Sequence, residues 1–223
     1  MTLEDETRDY FRREVVEHEM TIVLDQGLHR HLRFRRPGTG IWAFDIITWP
    51  GRLMITGDIA DFAFARLPDM FEFFGGDPDR INAHYWGEKL IAPRDCRSYS
   101  EARFRAVVGG LYREAVEDGA IAPDDAEPVW HDLELEVLEY AYARELAMPA
   151  AEAFESHSFE FHDVWDWDVR DFDWHYLLCC WAIVWGIAKY REHKAAAPTV
   201  KVWPVPLIRD PNFKLTPDGW VPR

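Results

Sequence analysis

Histidine and aspartate residues are clustered along the chain in the last third of the sequence. His157, His162 and Asp166 are candidate metal ligands, and Asp163 and His175 are further donors of suitable type. In a helix, His162 and Asp166 would share one face. The segment has no HExxH motif, and its aspartate spacing lacks the glycine and terminal glutamate of a calcium loop. A metal-dependent enzyme that uses these histidines and aspartates is therefore one hypothesis.

Covalent catalysis and phosphate-loop chemistry find little support. Cys179 and Cys180 lie inside the most apolar stretch of the chain, where burial leaves a thiol inert. The sequence has no GxSxG nucleophile elbow and no GxxxxGK phosphate loop, and Gly38-Thr39-Gly40 is a turn sequence. Cys96 forms no CxxC pair, so neither a zinc ribbon nor a disulfide framework is indicated. No catalytic residue is predicted and no cofactor is expected.

Arg33, Arg35 and Arg36 are candidates for binding an anion, either a phosphate or the carboxylates of a partner. Alternation along a strand places Arg33 and Arg35 on its polar face, which equally explains them as solvated surface residues. A third interpretation pairs them with acids of the same chain. Residues 30–66 contain six arginines and three aspartates, so this stretch carries +3 in a chain whose net charge is −15.

Acidic residues dominate residues 124–173, which contain sixteen acids and two arginines. If Asp166 and Asp168 lie on extended backbone, their carboxylates share a face about 6.8 Å apart, which resembles a row of phosphates beside stacked aromatic rings. The alternative is a solvated surface, with the tryptophans inward and Asp171 or Asp173 capping the following helix. The partner-binding residues predicted from this block are Asp163, Asp166, Asp168, Asp171, Asp173, Trp165, Trp167, Glu134 and Glu136.

The first part of the chain predicts a helix followed by a sheet. Apolar residues recur at helical spacing over residues 4–25, and Gly27 would end that helix. Over residues 30–66 apolar and polar residues alternate between short turn sequences. We therefore expect a four-stranded antiparallel meander with one apolar face. Its buried residues, packed against a later helix that includes Trp181, Val184 and Ile187, are expected to be Trp42, Phe44, Ile46, Leu53 and Ile55.

The middle of the chain predicts helices. Short helices are expected over residues 68–74 and 78–89. Ser98 and Glu101 form the pattern of a capping box, which opens a helix that ends at Gly119. Gly109 and Gly110 lie inside that helix, where each glycine costs about 1 kcal/mol relative to alanine. We therefore expect another group to pack close against the helix backbone there.

The last part of the chain predicts three more helices and a tail. Pro128 is expected to begin a helix that runs to about residue 146, and Pro149 a short one that runs to about residue 156. An apolar stretch over residues 174–191 predicts a buried central helix. The expected fold class is α+β, with the meander of residues 30–66 packed against several α-helices in one domain over residues 1–197. Residues 198–223 contain six prolines and predict an extended tail.

The composition excludes several classes of protein. Hydrophobic residues make up 48% of the chain, which is enough for a large core. The net charge of −15 argues against direct binding of nucleic acid or of an anionic membrane. The apolar stretch over residues 174–188 is shorter than the roughly 20 residues that cross a bilayer, and the acidic N-terminus is unlike a signal peptide. We expect a cytoplasmic protein that does not contact the membrane.

Two segments resemble a family of small phage- and prophage-encoded proteins. They are HLRFRRPGTGIWAFDIITWPGRLMITGD, from His31 to Asp58, and AIVWGIAKY, from Ala182 to Tyr190. That family has no assigned catalytic role, so the resemblance brings no active-site residues to this chain. It implies a phage origin, a location in the cytoplasm of a bacterial host, and a role such as host takeover or the neutralisation of a host defence.

Three hypotheses for the function follow. The first is a phage-encoded acidic protein that inhibits a host defence complex by occupying its basic nucleic-acid-binding surface, in the manner of an anti-CRISPR protein. The second is the metal-dependent enzyme. The third is a structural or assembly protein of a phage, which binds through the exposed sheet edge or the Pro-rich tail.

Overall fold

The computed structural model describes residues 2–196 and the backbone of two short strands near the C-terminus. Contacts divide the chain into two units, Met1–Lys189 and Tyr190–Arg223. The second unit contains the end of the last helix and an antiparallel hairpin of the two short strands. Most of the Pro-rich tail predicted over residues 198–223 lies outside the described residues, and the domain boundary at residue 197 stays a prediction.

Seven α-helices and two short 3-10 helices lie in the described part of the chain. The 3-10 helices are Leu138–Tyr140 and Val164–Asp166. The α-helices are α1 (Leu3–Glu14), α2 (Met70–Phe74), α3 (Ala83–Gly87), α4 (Glu101–Glu117), α5 (Ala126–Glu136), α6 (Arg144–Glu152) and α7 (Trp174–Ala196).

Six strands form one antiparallel meander, in which each strand pairs with the next along the chain. They are β1 (Glu19–Gln26), β2 (His29–Arg35), β3 (Phe44–Trp49), β4 (Arg52–Gly57), β5 (Phe62–Ala65) and β6 (Leu90–Ala92). Three two-stranded sheets pair the others, which are β7 (Arg97–Tyr99) with β10 (Arg170–Phe172), β8 (Glu155–Ser156) with β9 (Phe159–Glu160), and β11 (Phe213–Thr216) with β12 (Gly219–Pro222). The predicted α+β class is confirmed.

The sheet has six strands where four were expected, because β1 falls within the predicted first helix and no element was predicted over β6. The predicted helix over residues 4–25 is correct only up to Glu14. Beyond it, three consecutive β-branched residues, Thr21, Ile22 and Val23, favour a strand. That strand pairs with β2 across a two-residue turn in which Gly27 has a φ of +65°. The helical spacing of apolar residues therefore extends by chance into β1, where pairing with β2 holds the backbone extended.

One face of the sheet is buried against helix α7. Phe44, Ile46, Leu53 and Ile55 are buried there as predicted, and so are Trp181, Val184 and Ile187 of the helix. A Cβ atom at Gly186 would lie 2.6 Å from Ile46 Cδ1 and 3.0 Å from the Phe34 ring, so α7 approaches the sheet where it has no side chain. Trp42 departs from the prediction, because it is only half-buried and precedes β3 with a φ of 57°.

A second core lies within the helical module, which we define as residues 101–173. Its buried side chains come from α4, α5, α6 and the loops between them, and include Phe104, Val108, Leu133 and Met148. The chain enters and leaves this module through the paired strands β7 and β10. Ser100 N–H donates to the Val169 carbonyl at 2.9 Å beside this pairing. The module is therefore an insertion between the sheet and α7.

Three helix boundaries differ from the sequence prediction. Ser100, not Ser98, caps α4, because its hydroxyl accepts the Arg103 N–H while Ser98 pairs within β7. The helix predicted over residues 128–146 is interrupted: α5 ends at Glu136 and α6 begins at Arg144. Pro149 lies inside α6 and not at its start. In the helix interior its missing N–H removes one helical hydrogen bond. The positions of serine and proline therefore predicted that helices occur in these regions, but placed the helix ends several residues away from where they lie.

The expectation that a group packs against the two glycines of α4 is wrong. A Cβ atom at Gly110 would have no other atom within 4 Å, and one at Gly109 would meet only the Trp130 ring at an ordinary 4.0 Å. Neither glycine is therefore required by packing within the described structure.

We expect Ile46→Asp to destabilise the protein by about 3–5 kcal/mol, because it places an unpaired charge in the buried face of the sheet. Ile47→Asp is the matched control, since Ile47 is the next residue of β3 and lies half-buried on the opposite face. Urea denaturation measures both. Equal losses for the two variants would show that the register of β3 is wrong.

Two glycine-to-alanine changes should have opposite signs. Gly110→Ala should stabilise the protein by about 0.5–1 kcal/mol, because it removes the helix cost of glycine and meets open space. Gly186→Ala should destabilise it by about 1–3 kcal/mol, because the new methyl group collides with Ile46 and Phe34. Thermal melts compare the two directly. A stable Gly186→Ala protein would contradict the close approach of α7 to the sheet.

Candidate partner-binding surface

The whole net charge of the protein lies in the helical module. The module contains twenty acidic residues and five arginines, so its net charge is −15. The rest of the chain contains twenty acidic and twenty basic residues, which cancel. Sixteen of the twenty acids in the module are exposed. A strongly negative surface is thus carried by a folded unit with its own core.

The acidic-aromatic segment that ends the module is not an extended strand. Asp163 has a left-handed backbone with a φ of 51°, and Val164–Asp166 is a 3-10 helix. The condition for a row of carboxylates on Asp166 and Asp168 at strand spacing is therefore not met, because Asp166 lies in the 3-10 helix and not on extended backbone. Val164 and Val169 are buried and anchor the segment to the module core, while Asp163, Asp166 and Asp168 are exposed.

The last two aspartates of the segment have local structural roles. An Asp173 Oδ1 atom accepts the N–H groups of His175 at 2.9 Å and Tyr176 at 3.1 Å, which caps the start of α7 as predicted. Asp171 accepts the N–H of Phe172 at 2.7 Å. Both aspartates are half-buried. The carboxylates available to a partner in this segment are therefore those of the three exposed aspartates, and Asp168 has a long contact of 3.4 Å with Arg103.

The two tryptophans of the segment differ in exposure. Trp167 packs inward, with its ring centroid 5.1 Å from that of Phe161, and its Nε1–H donates to the His162 carbonyl. Trp165 is 53% exposed, and the Arg144 guanidinium lies 5.9 Å from its ring centroid. The interpretation that both tryptophans face inward holds for one of them only. An exposed indole costs solvation free energy and is typical of binding sites.

Two further exposed apolar residues, which sequence analysis missed, lie two positions either side of Arg144 in the sequence. Tyr142 is 66% exposed and Leu146 is 44% exposed. They flank Arg144, whose guanidinium contacts the Trp165 ring. A signal was present for Leu146 only, because it lies in α6 at a position outside the buried set Ala147, Met148 and Ala151, whereas Tyr142 precedes that helix. We call the exposed group of Tyr142, Leu146, Asp163, Trp165, Asp166 and Asp168 the acidic-aromatic patch.

The predicted partner-binding residues Glu134 and Glu136 lie elsewhere, on α5. Both are exposed, and a carboxylate oxygen of Glu134 accepts the Trp130 Nε1–H at 3.0 Å. Shallow depressions surround Trp130, and one of about 400 Å³ is lined by His131 and Glu134. These glutamates contribute to the negative field of the module rather than to the acidic-aromatic patch.

The arginines predicted to bind an anion are mostly paired within the chain. Arg33 makes a bidentate contact with Asp45 at 2.9 and 2.8 Å, and Arg36 lies 3.0 Å from Glu17. Arg35 is exposed on β2, opposite Glu19 of β1. The structure therefore supports the interpretation in which these arginines neutralise acids of the same chain.

Asp45 is the centre of a small polar cluster on the open face of the sheet. His31 Nε2 lies 2.7 Å from Asp45 Oδ2, beside the contact with Arg33. Burial alone would raise the pKa of Asp45, but the hydrogen bonds from Arg33 and His31 outweigh it and hold the pKa below its ordinary value. The carboxyl is therefore charged over the whole neutral range.

The proposed metal ligands do not form a site. Among the residues that the structure describes, no group of three or more His, Cys, Asp or Glu side chains is arranged to hold a metal ion. His162 and Asp166 do not share a helix, and His162 lies 3.9 Å from Glu160. His157 contacts the Ser156 hydroxyl at 2.9 Å through Nδ1. The geometry gives the metal-dependent hypothesis no support.

The two cysteines of α7 are buried, and burial raises the pKa of both thiols. A thiol that stays protonated is a poor nucleophile, as the sequence suggested.

No helix within the described residues combines the length and apolarity that a membrane crossing needs. Comparisons with protein-family models, with curated proteins and with solved structures each gave no match.

We expect the coupling between Arg33 and Asp45 to depend on pH. A double-mutant cycle with Arg33→Gln and Asp45→Asn should give about 1 kcal/mol at pH 7, since the pair is bidentate but partly exposed. A carboxyl with a lowered pKa stabilises the fold above its ordinary value of 3.8, and this contribution is lost as the pH falls through the folded pKa. The coupling should therefore be smaller at an acid pH below 3.8 than at pH 7.

Arg35→Gln combined with Asp45→Asn is the control cycle, because Arg35 is two residues further along the same strand. It should show no coupling at either pH. A coupling for Arg33 that is the same at both pH values would contradict the assigned ion pair.

Proposed function

We propose that the protein is a binding protein whose acidic helical module occupies the basic, nucleic-acid-binding surface of a partner protein. The observation that carries this proposal is the confinement of the full −15 charge to one module that also exposes Trp165. Exposed carboxylates supply attraction to lysine- and arginine-rich surfaces. The exposed indole supplies the apolar contact that a purely solvated surface lacks.

The mode of recognition follows from the coiled backbone of the acidic segment. Its carboxylates do not repeat at a fixed spacing, so they do not copy the phosphates of a nucleic-acid strand one by one. The module instead presents a broad negative field, with Trp165, Tyr142 and Leu146 as apolar anchors. Binding of this kind is fast and weakens with salt, because charge steering is screened over about 8 Å at physiological ionic strength.

Inhibition of a host complex is part of the same proposal. A partner whose basic channel is filled by the module cannot hold nucleic acid there. The resemblance of residues 31–58 and 182–190 to phage and prophage proteins supports a host defence complex as the partner, in the bacterial cytoplasm. The protein would then act like an anti-CRISPR protein, by competition rather than by catalysis.

The first test is capture of partners from bacterial lysate by tagged protein at about 50 mM and about 500 mM salt, with identification by mass spectrometry. We expect a basic nucleic-acid-binding complex at low salt that is lost at high salt. The absence of such a complex at either salt concentration would count against the proposal.

The second test uses matched variants against the captured partner. Reversal of Asp163, Asp166 and Asp168 to lysine should weaken binding at least about tenfold, because it changes the acidic-aromatic patch. The control reverses Glu114, Glu117 and Asp118, which are exposed acids at the far end of α4, about 20 Å of helix from Arg103. Both triple variants change the net charge by the same amount. An equal effect of the two would show that only the total charge matters.

A third variant tests the apolar anchor. Trp165→Ala should weaken binding about tenfold or more, whereas Trp49→Ala, which removes a 39% exposed indole from β3, should leave it unchanged. Calorimetric titration measures both affinities, and thermal melts verify that both variants fold. Unchanged affinity for Trp165→Ala would restrict the recognition to charge.

A further inference from the structure

A cleft that the proposed function does not use lies between α2 and α3. Its volume is about 740 Å³, which falls in the range of small-molecule pockets. The cleft belongs to the electrically balanced part of the chain, outside the helical module. Nothing in the acidic-aromatic patch contributes to its lining.

One side of the cleft is a wall of packed aromatic rings. The Phe73 and Tyr85 ring centroids are 5.7 Å apart, and those of Phe74 and Trp86 are 4.8 Å apart. Phe74 and Trp86 are buried and hold the wall in place, whereas Tyr85 is 37% exposed. The Lys89 ammonium lies 4.7 Å from the Tyr85 ring centroid, so a flat ligand ring would stack on the part of the Tyr85 ring that is left exposed.

Two guanidinium groups line the same cleft. Arg66 and Arg80 are exposed, and neither guanidinium makes an ion pair or hydrogen bond with another residue in the described part of the chain. Elsewhere in the sheet region Arg12, Arg33 and Arg36 each contact a carboxylate, whereas Arg35 and Arg94 do not among the described residues. Unpaired arginines in a cleft of a strongly acidic protein are available to a ligand, and their planar fork fits the oxygens of a phosphate.

Two carboxylates, Glu72 and Asp77, also line the cleft, and Asp77 accepts the Asp79 N–H at 2.9 Å. Glu72 lines it without an ion pair among the described residues, and a carboxylate there accepts hydrogen bonds from an amino group. Asn82 uses its side-chain oxygen to cap α3 through the Tyr85 N–H, which leaves its amide N–H groups as donors. The ligand therefore combines an anionic group, a flat ring and an amino donor.

We propose that this cleft binds a free nucleoside monophosphate with an amino-bearing base, the phosphate on Arg66 and Arg80 and the base against Tyr85. Adenine, cytosine and guanine have the exocyclic amino group that Glu72 would accept, and uracil does not. A free nucleotide is favoured over a nucleic-acid strand, because a strand would be repelled by the −15 charge of the protein.

The test is isothermal titration of the full-length protein with AMP, CMP, GMP and UMP, and with inorganic phosphate, each to about 5 mM. We expect at least one of AMP, CMP and GMP to bind with a Kd below about 1 mM, and UMP and phosphate to bind at least about tenfold more weakly. The double variant Arg66→Gln, Arg80→Gln should weaken nucleotide binding at least about tenfold. Tyr85→Ala should weaken it as well.

Arg94→Gln is the matched control, because Arg94 is also exposed and unpaired within the described residues but lies outside the cleft. The affinity of the Arg94→Gln protein for the nucleotide should equal that of the wild type. The proposal is overturned by any of four results: no nucleotide binds, UMP binds as tightly as the others, phosphate alone binds as tightly as a nucleotide, or the double variant binds normally. Tighter binding of a 5′-phosphorylated oligonucleotide would overturn the choice of a free nucleotide.

Discussion

The contact between helix α7 and the buried face of the sheet is the constraint on which the rest of the structure depends. Gly186 lets the helix approach until Ile46 and Phe34 fill the space that a side chain would occupy. Asp173, which caps the start of the same helix, donates its backbone N–H to the Cys96 carbonyl just before β7. The helix therefore packs against the sheet and also holds the point at which the chain leaves the helical module. Helix α7 is therefore the element that connects the core beneath the sheet with the core of the helical module.

The distribution of charge has a physical consequence for this architecture. In the sheet region, acids and arginines pair across strands and loops, as Arg33 does with Asp45 and Arg30 with Asp69. In the helical module, five arginines cannot neutralise twenty acids, so mutual repulsion is left to be offset by its apolar core. Such a distribution does not improve stability. It is understandable if the surface of the module is selected for what it binds.

The described residues contain no group of three or more side chains arranged to hold a metal ion, and the features that distinguish this protein are two surfaces. The acidic-aromatic patch and the α2–α3 cleft are separate in composition: one combines carboxylates with exposed apolar side chains, the other combines unpaired guanidinium groups with packed rings. Their partners would carry opposite charges. A protein with both surfaces can bind a basic macromolecule and a small anion without competition between them.

The sequence by itself determined the α+β class, strands β2 to β5 with their buried residues, the central helix α7 and the concentration of acid in residues 124–173. These features follow from periodicity and composition, which depend only on residues that are near one another in the sequence. Tertiary structure alone decided that residues 19–26 join the sheet, because strand pairing outweighed a helical pattern. It also decided that Trp165 is exposed while Trp167 is half-buried against the module core, since a 3-10 turn after Asp163 sets which way each ring points. The cleft required Arg66, Glu72, Arg80 and Tyr85 to meet across two short helices, and no spacing rule in the sequence connects them.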